Sequence, residues 1–424
     1  MNLTLTLLNL GIIGNSPLIQ LPQLSQHSSF SLTDSNIVHS TINFFQSSDS
    51  YKFQYAFINS RFIHFLRTPL TISKDDAITK SDEIFHTTLE HKLSSNLTVT
   101  SCQFINIISE KPGAAIHLDS KSTEFKISRC FFDICRCKGK GGAIFALMNH
   151  MDCQYNCFHL CRCGKENGND GSTVYAFSQI GIDTKFISCN ECPRHGDQCW
   201  YGIVILCNGR LETANVNMSN SDVEFISGLA HFRPNEGESI LKYYTAINQI
   251  NGNSLAFIDM TFHGTHQFGS LVNNTSKTGI FYVQNSTTTL MNFYFLNNTG
   301  PITYMCVGNS KANFESCVFS SEKVNLGIGY GKDIDCLFGQ LTATPMKMEL
   351  YGTAVCETQQ EAAFFDNMRN NIDINNYFDK NGLLRRKNKR DLMLCVLIVG
   401  LVLIIYTFFS RFKGRRIRIR DRNL

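Results

Sequence analysis

Along most of the chain, apolar and polar residues alternate in runs of about five or six, which is the period of a strand with one face buried. The runs also return at a nearly fixed interval. Ser101 to Ser122 (SCQFINIISEKPGAAIHLDSKS) aligns with Ser128 to Met151 (SRCFFDICRCKGKGGAIFALMNHM), so that Cys102 meets Cys130 and Ile116 meets Ile144, two anchors sharing a period of 28. In a third copy from Tyr155, Cys157 lies 27 residues after Cys130 and Val174 lies 30 after Ile144, while a fourth copy from Thr184 puts Val204 another 30 on. The rhythm loosens in SLAFIDMTFHGTHQFGSLV, TTTLMNFYFLNNTGPITYM and KANFESCVFSSEKVNLGIG, where Phe262, Phe295 and Phe319 keep the anchor.

Each unit holds two short alternating runs joined by a polar, often Gly-containing loop, and neither run can bury its inward face alone. Stacking one unit on the next closes a continuous apolar column, which is the logic of a solenoid. Helical repeats need amphipathic stretches of about ten residues or more at 3.6 spacing, and leucine-rich repeats need L-x-x-L-x-L, whereas a propeller blade takes about 40 residues. The pattern therefore predicts an all-β, right-handed parallel β-helix with about nine coils between Asn96 and Pro345, rising about 4.8 Å each to a rod of roughly 40 Å. The richness in Phe, Ser, Thr, Asn and Ile agrees, since these residues suit pleated strands and polar turns.

The aligned GAAI (Gly113 to Ile116) and GGAI (Gly141 to Ile144), together with FLNN (Phe295 to Asn298), resemble the GGA[I/L/V] and FxxN repeats of chlamydial polymorphic membrane proteins. They also resemble the β-helix repeat surface proteins of parasitic protists. The resemblance covers about 250 residues and implies a β-helix of pectin-lyase-like fold exposed on a cell surface. It departs from the bacterial family at the C-terminus, which ends in an apolar helix-length segment instead of a translocating barrel, and so fits the protist-like arrangement.

That segment, Leu392 to Phe409 (LMLCVLIVGLVLIIYTFF), is 18 residues without a charge. At 1.5 Å per residue it spans about 27 Å and predicts one transmembrane helix. Arg385 to Arg422 holds 12 basic residues against Asp391 and Asp421, so the net +4 of the chain conceals a remainder of 27 basic and 33 acidic residues, a net of −6. An acidic bulk excludes a nucleic-acid reader, and the basic tail points to anionic lipid. The expected organisation is an N-terminal region over 1–94, with a signal segment in Met1 to Gly14 or a first strand there, and β-helix repeats over 95–345. A cap and juxtamembrane spacer follow over 346–391, the membrane helix over 392–409 and the basic tail over 410–424. Seven basic residues in the tail against five before the span favour an extracellular N-terminal domain at the plasma membrane and a cytoplasmic C-terminus. Without a signal, the chain would be tail-anchored with a cytosolic domain. Sequons at Asn96, Asn217, Asn273, Asn274, Asn285 and Asn297 offer N-glycosylation in the first topology.

Eleven of the 17 cysteines fall between Cys130 and Cys207. In an oxidising compartment this density predicts disulfides among Cys135, Cys137, Cys161, Cys163, Cys189, Cys192, Cys199 and Cys207, with the pairing open. The CRC of Cys135 to Cys137 recurs one coil later at Cys161 to Cys163. Cys102, Cys130 and Cys157 are expected in one column, where at least one acts as a buried thiol. Zinc on Cys189, Cys192, His195 and Cys199 is the rival reading, set aside because no second C-x2-C answers the first. No metal and no cofactor is expected.

β-Helices also include enzymes on acidic polysaccharides, which need carboxylates gathered on one exposed face. Asp119, Asp133, Asp152, Asp183 and Glu191 read as drifting through different coil positions, and no histidine is paired with a nucleophile, so no catalytic residue is expected. The reading is a non-catalytic surface β-helix for adhesion, with a protein or glycan surface ligand. A carbohydrate-active ectodomain is the alternative, and a structural coat protein or cytosolic-facing scaffold is the second.

Overall fold

The computed structural model describes residues 2–5, 10–12, 18–20, 28–48, 53–73, 95–164, 171–194, 199–226, 228–232, 238–250, 254–260, 263–277, 279–322 and 330–345. All lie in the first of two compact units, Met1–Glu361 and Ala362–Leu424. Phe262, His195, the Leu392 to Phe409 segment and the residues flanking it lie outside the described residues. Among the described residues no helix is long and apolar enough to cross a membrane.

Every strand pairing is parallel and joins a run to its counterpart one coil away, giving an all-β solenoid of the right-handed parallel β-helix type. Three faces run its length. The first stacks Phe53–Ile58, Ser95–Thr100 and Thr123–Ser128 in register and continues to Lys311–Glu315 and Tyr330–Ile334. The second stacks Arg61–Phe65, Gln103–Ser109 and Phe131–Cys137. The third stacks Leu70–Ser73 and Ile116–Asp119, with Ile144, Val174, Val204 and Leu229 following in the Ile116 row. Stacking begins before Asn96. Asn2–Leu5 already lies beside Ser29, Phe30, Ser31 and Leu32, so the N-terminal apolar stretch stands as a first strand.

The predicted anchors meet as expected at Ile116, Ile144, Val174 and Val204. In the second face, Phe62, Phe104, Phe132 and Phe158 form one inward row whose rings stack at 5.1, 4.9 and 4.7 Å. A second stack, Phe295, Phe319 and Phe338, follows at 4.7 and 5.0 Å, and Leu271 holds the Phe295 place one coil earlier. The column between the faces is filled. A cavity lined by Met151, Phe158, Val174, Val204 and Leu229 measures about 10 Å³, room for roughly one water.

Where the first face turns into the second, each coil places one residue at positive φ. The row includes Asn59, Ser101, Arg129, Tyr155, Phe186, Asn215, Tyr243, Phe268 and Asn292. A second such row, within the second face, includes Asn106, Ile134, Leu160, Glu191, Asn220, Asn248, Asn273 and Asn297. The glycines of GAAI and GGAI form a third: a Cβ on Gly141 would lie 2.1 Å from the Ile144 carbonyl oxygen, and Gly113 and Gly171 are equally closed in.

The residue after each left-handed corner points inward and reaches toward the preceding coil. Asn156 accepts the Cys130 N–H at 2.9 Å through Oδ1 and donates from Nδ2 to Ile127 O at 3.1 Å. Asn274 does the same with Gln249 N–H and Ala246 O, and Asn298 with Asn274 N–H and Leu271 O. Cysteine fills the same place with its S–H: Cys130 faces Val99 O at 3.6 Å, Cys135 faces Phe104 O at 3.5 Å, and Cys161 faces Phe132 O at 3.6 Å. The FxxN pattern is therefore an inward ring followed by a corner that bonds to the coil behind, and Phe132-x-x-Cys135 and Phe158-x-x-Cys161 are its cysteine forms.

Candidate functional site

This corner chemistry corrects the expected disulfides. Cys135, Cys161, Cys189 and Cys192 are fully buried thiols, and Cys137, Cys163 and Cys207 also carry thiols. The Cys199 side chain lies outside the described residues. The two CRC copies do sit at neighbouring levels, with Arg136 bridged to Arg162. Cys135 and Cys161, however, each aim their sulfur at a backbone carbonyl. Burial raises the Cys161, Cys189 and Cys192 thiols well above the ordinary range, the reverse of what a thiolate metal ligand needs. The C-x2-C of Cys189 and Cys192 is one more FxxN variant: Cys189 stands in the Phe158 row, and Cys192 accepts the Cys161 N–H. No cluster of three or more metal-ligating side chains occurs among the described residues.

The expected column of Cys102, Cys130 and Cys157 is also corrected. Cys102 and Cys130 share a row, but Cys157 pairs with Phe131, and Asn156 takes the Cys130 position. The spacing of 27 conceals a shift of one, because that coil is 26 residues long at this corner.

Of the sequons, Asn273, Asn285 and Asn297 are exposed at left-handed turns. Asn274 is fully buried and bonded in its corner. Asn96 and Asn217 lie within strands, partly covered.

The acids do gather. Asp152 pairs with Asp183, and Asp183 with Glu212, so three carboxylates stand on consecutive coils in one outward row of the first face. Strand neighbours across a parallel ladder lie about 4.8 Å apart. Around the row, His150 Nε2 lies 3.1 Å from Asp183 Oδ2, Gln154 donates to Asp152 at 2.7 Å, and Arg210 pairs with Glu212. Asp133, expected to stand alone, pairs with His159 at 2.9 Å on the second face. The missed signal was the distance to the corner: Asp152, Asp183 and Glu212 each precede a left-handed residue (Tyr155, Phe186, Asn215) by three.

The rim of this face is aromatic. Tyr155 stacks on Phe186 at 4.6 Å and Tyr243 on Phe268 at 5.2 Å, all four in the left-handed corner row and only partly covered. Bulky aromatics rarely adopt positive φ, and holding one there costs about 1–3 kcal/mol, whereas Asn tolerates it. A second outward row on the third face stacks His117, Phe145 and Tyr175 at 5.1 and 5.7 Å, with Lys140 4.6 Å above the Tyr175 ring. Burial lowers the His117 pKa, which keeps its ring neutral in the stack.

No family model, curated protein or solved structure matches the chain.

Proposed function

We propose that this chain is a single-pass, membrane-anchored surface β-helix whose first face makes adhesive contacts without catalysis. The observation that carries the reading is the strained aromatic corner: Tyr155, Phe186, Tyr243 and Phe268 occupy positions where Asn would stabilise the fold better. Rings held at a stability cost beside carboxylates suit a ligand with apolar C–H faces and many hydroxyls, such as a surface glycan. The apolar Leu392 to Phe409 segment supplies the anchor, and the GGAI and FxxN resemblance to protist surface proteins agrees with a lumenal or extracellular domain. Exposed Asn273, Asn285 and Asn297 would then carry the glycans.

The test is binding to cells and immobilised glycans by full-length protein carrying Phe186→Asn and Tyr243→Asn. Binding should fall at least about tenfold while the denaturation midpoint holds or rises. Unchanged binding would remove this face from the proposal. Digestion of an unglycosylated domain only from the cytosolic side would overturn the topology.

The Asp152, Asp183 and Glu212 row favours a second reading, a carbohydrate-active ectodomain. New reducing ends released from acidic polysaccharide and lost in Asp183→Asn would select it over adhesion.

A further inference from the structure

Cys317 and Cys336 close the row of corner cysteines at the C-terminal end of the described coils. They occupy equivalent places: Glu315 pairs with Ile334 and Val318 bridges to Leu337, which brings Cys317 and Cys336 level on adjacent coils. At about 4.8 Å of coil spacing, two such Cα atoms fall within the roughly 4.4–6.8 Å window that disulfides use, and both side chains leave the backbone on the same side. Cys317 is fully buried, with its sulfur 3.5 Å from Leu290 O. Cys336 is only partly covered, unlike Cys102, Cys130, Cys135, Cys161 and Cys192 in comparable corners.

We propose that Cys336 is a thiol-modification site that reacts with small disulfides of the glutathione class, with Cys317 as the resolving partner. The Cys336 thiolate attacks one sulfur of the oxidised tripeptide, forming a mixed disulfide and expelling one thiolate. Cys317 then gives up its proton to solvent, and its sulfur attacks Cys336 and displaces the second thiolate. Two protein thiols are oxidised, one small disulfide is reduced to two thiols, and the last coil is clipped to its neighbour. The Cys317 S–H directed at Cys336 also draws the Cys336 pKa down to about 7, where a large share is thiolate at neutral pH. The buried sulfurs elsewhere shift the other way, with Cys153 pushed up to about 12 by burial.

The test uses the full-length chain in detergent micelles, incubated with glutathione disulfide and digested without reduction. The wild type should yield a peptide linked through Cys317 and Cys336. Cys317→Ser should keep glutathione on Cys336, and Cys336→Ser should show neither product. Serine is tolerated in this row, where Ser35 and Ser60 already stand, and retained β circular dichroism confirms folding of each variant. In the reduced wild type at pH 7, iodoacetamide should label Cys336 at least about tenfold faster than Cys102 or Cys153. Equal labelling of the three overturns the proposal. So does glutathione that persists on wild-type Cys336 without passing to Cys317.

Discussion

Each left-handed corner turns one backbone N–H and one C=O of the preceding coil toward the interior, where an unpaired group costs about 1–3 kcal/mol. Asn156 satisfies both at once, through Cys130 N–H and Ile127 O. Cysteine supplies the donor with less bulk, and Ser221 accepts Cys192 N–H at 3.1 Å in the same row. The choice among Asn, Cys and Ser is thus a choice of how to finish a corner, which is why cysteines at coil spacing look like a disulfide framework and are not one. We expect Asn156→Ala to destabilise the protein by about 2–4 kcal/mol, because both backbone groups lose their partner. Asn156→Cys should cost less than half as much. Urea denaturation of the two variants beside the wild type checks the order.

Among the elements, the strands of the second face depend most on rows of one residue type. Phe132 has ring neighbours at 4.9 and 4.7 Å and no exposure, so its removal opens a cavity between two coils. Phe132→Ala should cost about 3–5 kcal/mol, whereas Phe319→Ala, nearer the end of the stack, should cost less. Hydrogen exchange should localise the loss of protection to Gln103–Ser109 and to the run from Phe131 to His159. The anchors of this face were legible because Phe and Cys recur every 26 to 31 residues. The acid row was not legible from those anchors. Side chains alternate with a period of two, so an error of one residue in coil length moves an acid to the opposite face, and only the corner reference recovers Asp152, Asp183 and Glu212.

For the whole solenoid, the many buried thiols govern the response to pH. Burial raises Cys130, Cys153, Cys161, Cys189 and Cys192, with Cys153 at about 12. In the unfolded chain these thiols ionise from about pH 8.5. A group whose folded pKa is raised contributes stability that is complete below the unfolded value and declines as pH rises toward the folded one. Each thiol can therefore lose up to about 1.4 kcal/mol per pH unit above 8.5, and the effect sums along the stack. His117 acts oppositely: its lowered pKa means that stability falls as pH drops below about 6.5. The urea midpoint should peak near pH 7–8 and decline by several kcal/mol by pH 10. A flat profile up to pH 10 would show that the thiols are exposed or already oxidised.

The period, the alternation within each run and the Gly-Ile and Phe anchors were properties of the sequence alone, because burying one side of a short strand demands them wherever the chain lies. The row each residue joins was decided by the folded coil. Coil lengths vary from 24 to 31 residues, and only hydrogen bonds between coils fix which residue stands above which. That is why Asn156 displaced Cys157 from its expected column. It is also why the cysteines face carbonyls as thiols and three separated acids meet on one face: a register, unlike a periodicity, exists only between two segments already held side by side.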